Sequence, residues 1–337
     1  MNKRVMSAVM AAALTAGLFS VNTTAFADDN KYCYYFPAAH AYADESSKAA
    51  QEYADENGLD FKVFIGSDWE QETQDTNMRA LVADGYTSIL AYPSTDGAAG
   101  LFEELQEAAG ANIITYGGVT TQETERFGCA TDVEAAAYEA CADVIEAIGG
   151  EGGVLDVLEQ LNDTNTLKRQ KGINQCIEDH PGAELVQEVA GINNVEEGVE
   201  KISAALAANA DKIDGIVTTG NQASSAAVQV MNDYYDRNPD AKKIVLITID
   251  TPNDVMEGIE SGVVYGTIAQ NVNAHVQVPL KILMMLNDGW TKREGTFFID
   301  TGCVLVTKEN VDSYQEDLDK VTERIFEEIP ELYLEKN

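Results

Sequence analysis

The chain is 337 residues long, 45% hydrophobic, and carries 57 acidic against 22 basic residues, a net charge of −35. So acidic a balance excludes nucleic acid as a partner, because affinity there rests on basic side chains meeting phosphates, and it disfavours an anionic membrane surface for the same reason. It argues for solubility and says little about fold or pocket; the length suffices for about two domains.

At the N-terminus Lys3 and Arg4 precede an apolar stretch over 5–21, which ends in Ala25-Phe26-Ala27. This is the pattern of a secretory leader cleaved after Ala27, so 1–27 is expected to be a signal peptide. The stretch is too short and too rich in alanine to span a membrane comfortably. The first cysteine, Cys33, falls inside the first predicted strand, so no lipid-anchoring cysteine follows the leader. The expectation is a soluble exported protein, in a periplasm or outside the cell. Loss of Lys3 and Arg4 takes its net charge from −35 to −37. Five cysteines without a Cys-x-x-Cys spacing support neither a metal cluster nor a redox motif. They read as scattered buried thiols, with room for one disulfide in an exported chain.

From residue 31 a rhythm sets in. Short apolar runs over 32–36, 61–65, 88–92, 112–116, 153–158, 184–189, 215–219, 243–249 and 264–269 predict strands. Between them amphipathic stretches over 42–57, 70–84, 97–109, 133–148, 167–179, 195–209, 222–237, 251–261 and 272–286 predict helices. Alternation of this kind predicts parallel sheets covered on both faces. The expected fold class is α/β: two similar doubly wound parallel-sheet lobes with a ligand cleft between them. The lobes are expected over 28–132 plus 268–298 and over 133–267 plus 299–337, joined by short crossings. The acidic tail over 312–331 reads as a surface helix.

In such sheets ligands bind beyond the carboxyl ends of the strands. The residues there are Phe36, His40 and Tyr42; then Asp68 and Trp69; then Tyr92, Pro93 and Ser94; and later Asp132, Asn221, Asp250 and Gln270, with Arg169 near the start of a helix. Carboxylates, amides and a guanidinium satisfy buried hydroxyls, and aromatic faces cover C–H patches. A monosaccharide presents both surfaces. Each residue alone is weak: an Asp ending a strand is more often a helix cap than a ligand contact, and Trp69 alone could be ordinary packing.

Other chemistries find less support. Gly149-Gly150-Glu151-Gly152-Gly153 lacks the Lys-Ser/Thr of a phosphate-binding loop and precedes a strand, so it reads as a turn. Gly-x-Ser-x-Gly and His-Glu-x-x-His are absent from the sequence. Of three histidines, His180 lies in a turn, His275 in a helix, and His40 beside the expected cleft. Asp132 and Asp250 could face each other as an acid/base pair, but with no nucleophile or metal cluster beside them they read as hydroxyl acceptors. A receptor is expected rather than an enzyme, with no catalytic residue, metal or cofactor.

Ordered pieces then carry a resemblance. They are Leu81-Val82-Ala83-Asp84-Gly85-Tyr86 with Ile89-Leu90-Ala91-Tyr92-Pro93, Thr131-Asp132 opening a helix, Arg169 three residues before Gly172, Gly220-Asn221, Ile249-Asp250-Thr251-Pro252, and Gly262 through Thr267-Ile268-Ala269-Gln270. In register over about residues 31–310, they resemble the type I periplasmic solute-binding proteins of ABC importers, in the ribose/galactose-binding group. The resemblance implies ligand contacts at Phe36, Asp132, Arg169, Asn221, Asp250 and Gln270. It implies a monomer that hands a sugar-like ligand to a membrane permease, or that is read by a chemoreceptor or sensor kinase. Two departures stand out. The fourth strand ends in Tyr116-Gly117-Gly118 where sugar binders usually carry an Asp, and the first loop reads Pro37-Ala38-Ala39-His40-Ala41-Tyr42. They leave open a non-sugar ligand such as a nucleoside or a furanone-type signal.

Overall fold

The computed structural model describes residues 30–161 and 163–336; the expected leader and its cleavage point lie outside the described residues. The first half of the chain lays down β1 (Lys31–Phe36), α1 (Ala41–Asn57), β2 (Asp60–Ile65), α2 (Gln71–Ala83), β3 (Tyr86–Ala91), α3 (Ala98–Ala109), β4 (Asn112–Tyr116) and β5 (Phe127–Ala130). The second half follows with α4 (Val133–Ala147), β6 (Gly152–Val157), α5 (Thr164–Asp179), β7 (Ala183–Val189), α6 (Val195–Asn209), β8 (Ile213–Thr218), α7 (Asn221–Arg237), β9 (Val245–Ile249), α8 (Asn253–Ser261) and β10 (Gly266–Gln270). The chain then returns through α9 (Val272–Asn287), β11 (Trp290–Lys292), β12 (Phe298–Asp300), β13 (Cys303–Thr307), α10 (Tyr314–Glu328), a π-helical turn (Ile329–Tyr333) and β14 (Leu334–Lys336).

Two six-stranded sheets result, in the orders β12-β5-β4-β3-β1-β2 and β13-β10-β9-β8-β6-β7. The strand pairs are parallel except β13 on β10. Alternate residues of β1 serve opposite faces. Tyr32, Tyr34 and Phe36 enter the core shared with α1 and α9, while Cys33 and Tyr35 enter the core under α2 and α3. The second sheet repeats the arrangement, with Leu155 and Val157 facing α6 and α7 and Val154 facing α4 and α5. Burial on both sides is why these strands read as continuous apolar runs rather than alternating ones. The four-residue β5 escaped the hydrophobic pattern because half of it is small, Gly128 and Ala130.

Three crossings join the lobes, at Thr131–Asp132, at Asn271 and at Thr301–Gly302, and they are stitched together. The Thr301 N–H donates to the Ala130 carbonyl at 3.1 Å, and the Asn271 N–H to that of Gly302 at 3.3 Å. Three placements differ from the expected boundaries. The third crossing comes at Thr301–Gly302 rather than after 298, because Ile299 and Asp300 complete the pairing of β12 with β5. The second crossing comes after Gln270 rather than at 268, because Thr267 and Ile268 complete the pairing of β10 with β9. The tail, expected wholly in the second lobe, is shared. Leu318 packs in the second-lobe core, whereas Ile325, Ile329 and Leu334 pack in the first, and β14 pairs with β11. The cause is that α10 is long enough to run past the crossings with apolar anchors along its whole length.

Helices α4 and α5 meet closely at Gly172, where an added Cβ would strike the Glu134 carbonyl of the neighbouring backbone. Backbone cannot rotate aside as a side chain can. Gly172→Ala is therefore expected to cost ~1–3 kcal/mol, read as a lower urea midpoint at unchanged m. Gly100→Ala, in the first turn of α3 with open space around its Cβ, is expected to be neutral or to stabilise by up to ~1 kcal/mol.

Candidate functional site

The first lobe presents aromatic rings at its strand ends. Phe36, the last residue of β1, is buried, and its ring centroid lies 4.7 Å from that of Tyr92, 5.4 Å from Trp69, and 6.0 Å from both His40 and Tyr42. His40 is held by its role as the N-cap of α1, its Nδ1 accepting from the Tyr42 N–H at 3.1 Å. Trp69 stands at the edge of the group, 42% exposed. Phe36 and His40 are near-parallel, and the other rings tilt or meet edge to face, as aromatic quadrupoles prefer.

Tyr42 explains the glycine that ends the fourth strand. Gly117 has φ +66°, and a Cβ there would collide with the Tyr42 hydroxyl. The space in which a side chain would otherwise project is therefore taken by a tyrosine oxygen. That oxygen lies 2.7 Å from His275 Nδ1. On the other side of the ring, His275 Nε2 is 3.3 Å from the Thr131 N–H and 3.1 Å from its Oγ1. A backbone N–H can only donate, so Nε2 is the acceptor; the neutral ring carries its proton on Nδ1 and donates it to Tyr42. Burial pushes the imidazole pKa down to about 4. His275 thus ties the site to the first crossing, a role its helical context gave no hint of.

The second lobe presents charge. Asp250 adopts φ +76°, a left-handed conformation uncommon outside glycine. It is held there by its N–H donating to the Ile268 carbonyl at 2.9 Å and by Thr267 Oγ1 donating to its carbonyl at 2.6 Å. Gln270 Nε2 donates to its carboxylate at 2.6 Å. Arg169 is 7% exposed, and its Nε is buried without a hydrogen-bond partner among the described residues. Asn221 opens α7 and is exposed.

Glu159 was not singled out in the sequence, yet it sits at the centre of this group. It follows β6, so the strand-end rule applied to 153–158 would have found it. Its Oε1 accepts from the Gln222 N–H at 2.6 Å and from the Ala223 N–H at 3.3 Å. It thereby does the capping that Gly220, the N-cap of α7, has no side chain to do. Burial raises its pKa against those two backbone bonds; Asp250 nearby raises it further and Arg169 opposes.

The two surfaces face each other. The Tyr92 hydroxyl of the first lobe is raised by burial and by Asp163 across the cleft, with Arg169 working the other way. Glu45 on α1 is raised by burial and then by Asp250. Between the lobes lies a cavity of about 610 Å³ lined by Trp69, Tyr92, Gly117, Asp132, Asp163 and Lys168, among others. Asp132 reaches it with part of its capacity spent, since its Oδ1 caps α4 by accepting from the Glu134 and Ala135 N–H groups at 3.2 and 3.1 Å. Of the ten residues expected at the site, Trp69, Tyr92 and Asp132 line this cavity; Phe36, His40 and Tyr42 pack with Trp69 and Tyr92 in the first lobe without lining it, and in the second lobe Asp250, bonded to Gln270, and Arg169 gather near Glu159, also off its lining. Asp132 lies at the crossing and Asn221 on the rim of the second lobe.

A family model described as periplasmic binding protein domain matches residues 35–290. A xylitol-binding protein of Mycolicibacterium smegmatis is 20% identical over 284 residues, 84% of this chain and 78% of that protein. Among solved structures, an ABC transporter solute-binding protein of Burkholderia graminis in complex with D-arabinose superposes with a TM-score of 0.72 at 21% identity, covering 86% of this chain and 98% of that one. A sugar-binding protein of a Bacillus halodurans sugar ABC transporter gives 0.75 at 18%, covering 85% and 100%. Identity at this level establishes a shared fold.

The His275 environment predicts a pH dependence. Its folded-state pKa lies below the ordinary 6.5, so the unfolded chain takes up the proton first as pH falls. Its contribution is complete above about pH 6.5 and lost between there and about 4, on the order of 3 kcal/mol in all. His275→Gln keeps both hydrogen bonds but cannot titrate. The difference in urea stability between protein and variant should therefore shrink or reverse as pH is lowered through that window. The raised carboxyls of Glu159 and Glu45 act in the opposite sense in both proteins and cancel in the difference.

Proposed function

The chain belongs to the periplasmic binding protein domain family, and we propose on that footing that it is an exported, non-catalytic receptor which closes its two lobes over a monosaccharide or closely related polyol and delivers it to the permease of an ABC importer. The observation that carries this reading is Arg169, a guanidinium buried without a hydrogen-bond partner for its Nε among the described residues, whose charge acts on the Tyr92 hydroxyl of the first lobe. An unpaired buried donor costs about 1–3 kcal/mol. A hydroxyl-bearing ligand would remove that cost on entering, while Asp250, Gln270 and Glu159 accept from and donate to its other hydroxyls. Phe36, Tyr92 and Trp69 would cover its C–H face. Relatives of known ligand bind D-arabinose and xylitol, both small polyhydroxylated molecules.

Closure follows from differential affinity. A ligand shifts the equilibrium toward the closed state only by what it gains there over the open one, and that gain requires contacts from both walls at once. A second reading, a less hydroxylated ligand such as a nucleoside, is favoured by one observation: Tyr42 fills the position at Gly117 where a carboxylate would grip a hydroxyl.

A thermal-shift screen of pentoses, hexoses, polyols, nucleosides and furanone-type signals separates the readings. A ligand at about 100 times its Kd adds roughly 2.7 kcal/mol of stability. A pentose, hexose or polyol is expected to give the shift. Arg169→Ala and Asp250→Ala are each expected to weaken it ~10–100-fold, while the unliganded Arg169→Ala protein stays at least as stable as the parent. A shift from nucleosides with none from sugars would overturn the sugar assignment and leave the receptor in place.

A further inference from the structure

On the α4–α5 side of the second lobe a group of buried polar side chains takes no part in the cleft. Cys141 on α4 and Cys176 on α5 are both fully buried in the same core, and their thiols are direct neighbours. The helices are at their closest near Gly172 and Glu134; Cys176 is one turn beyond Gly172, and Cys141 two turns beyond Glu134. Tyr138 lies beside both thiols and 6.4 Å from the His180 ring. His180 Nδ1 lies 2.7 Å from the Cys176 carbonyl oxygen and 3.6 Å from its Sγ. Behind the pair, Asp156 is fully buried with neither carboxyl oxygen hydrogen-bonded by a side chain among the described residues.

We infer that Cys141 and Cys176 are a dithiol–disulfide pair that staples α4 to α5 when the folded protein meets an organic disulfide. Interhelical disulfides need a close backbone approach, which the Gly172 contact supplies. The exchange starts at Cys176. The neighbouring Cys141 and His180 hold its thiol pKa down, while Cys141 is pushed up by Cys176 and by burial. The Cys176 thiolate attacks one sulfur of the organic disulfide, breaking its S–S bond and releasing one thiol. Cys141 then attacks the mixed disulfide, forming the Cys141–Cys176 bond and releasing the second thiol. Two electrons and two protons pass from the protein thiols to the two departing thiols. Fraying of the last turn of α5, where His180 sits half-buried, gives the reagent its access. The staple closes a loop that contains Glu159, Asp163 and Arg169, so it stiffens the segment that carries the second wall of the cleft.

The test is thiol counting on the purified protein, without ligand, in a buffer of oxidised and reduced glutathione, quenched in acid, then denatured and alkylated. Alkylatable thiols are expected to fall from five to three. The intact mass should drop by about 2 Da, with a linked Cys141–Cys176 peptide and a Tm raised by several degrees. Five free thiols persisting in oxidised glutathione alone, or a link between any other pair, overturns the proposal. In Cys141→Ser the glutathione adduct is expected to remain on Cys176; an unmodified Cys176 there removes it as the attacking thiol. Since no ligand is involved, failure here leaves the receptor reading intact, and failure of the receptor reading leaves this result standing.

Discussion

The lobes can move relative to one another only as far as three short crossings allow, and those crossings are bound to each other. Thr301 bonds to Ala130, Asn271 to Gly302, and the Asp132 N–H to Asp300 Oδ1 at 3.0 Å. Asn271, fully buried, also donates from its side chain to Leu318 and Thr322 of the tail helix at 3.0 Å each. A buried polar group without a partner is costly, so any motion that separated the strands of this hinge would expose the cost at once. Rotation about them is the cheap alternative. His275 extends the hinge to the cleft by spanning Thr131 and Tyr42, so the ring wall of the first lobe is referenced to the axis about which the second lobe turns.

The cleft is asymmetric in its chemistry. The first lobe carries rings whose positions are set by mutual packing and by Tyr42; the second brings Arg169, Glu159, Asp250 and Gln270 near one another. A wall of rings gives contact area but little orientation, and a wall of charges gives orientation only to groups that can pair with it. Together they suit a ligand with an apolar face and a polar edge. The positive φ of Asp250 is maintained by bonds to Ile268 and Thr267, so the surrounding structure holds a backbone conformation its own residue type disfavours.

Reading the strand ends picked out the ring group of the first lobe and the bonded Asp250–Gln270 pair of the second. The rule that ligands gather at the carboxyl ends of parallel strands needs only the strand positions, and these follow from continuous apolar runs. It lacked the distinction between a carboxylate that faces the cleft and one that caps a helix. Asp132 does both in part, and Glu159 caps α7 although 61 residues of chain lie between it and the helix start at Asn221. Gly117 could be seen as a departure, but not that Tyr42 accounts for it, since the contact joins the first helix to the fourth strand.

From its sequence alone this protein is an acidic α/β chain of two doubly wound lobes with aromatic and polar residues at the strand ends. Those features are local: hydrophobic period, turn residues and residue type are properties of a few neighbouring positions. Only the tertiary structure decided that the tail is shared between the lobes, that His275 is a neutral link between Tyr42 and Thr131, and that Arg169 is buried with its Nε unpaired among the described residues. Each of these depends on contacts between residues tens to hundreds of positions apart, 233 in the case of Tyr42 and His275. The energy of burying a polar group is set by what surrounds it in space, and no window of sequence contains that.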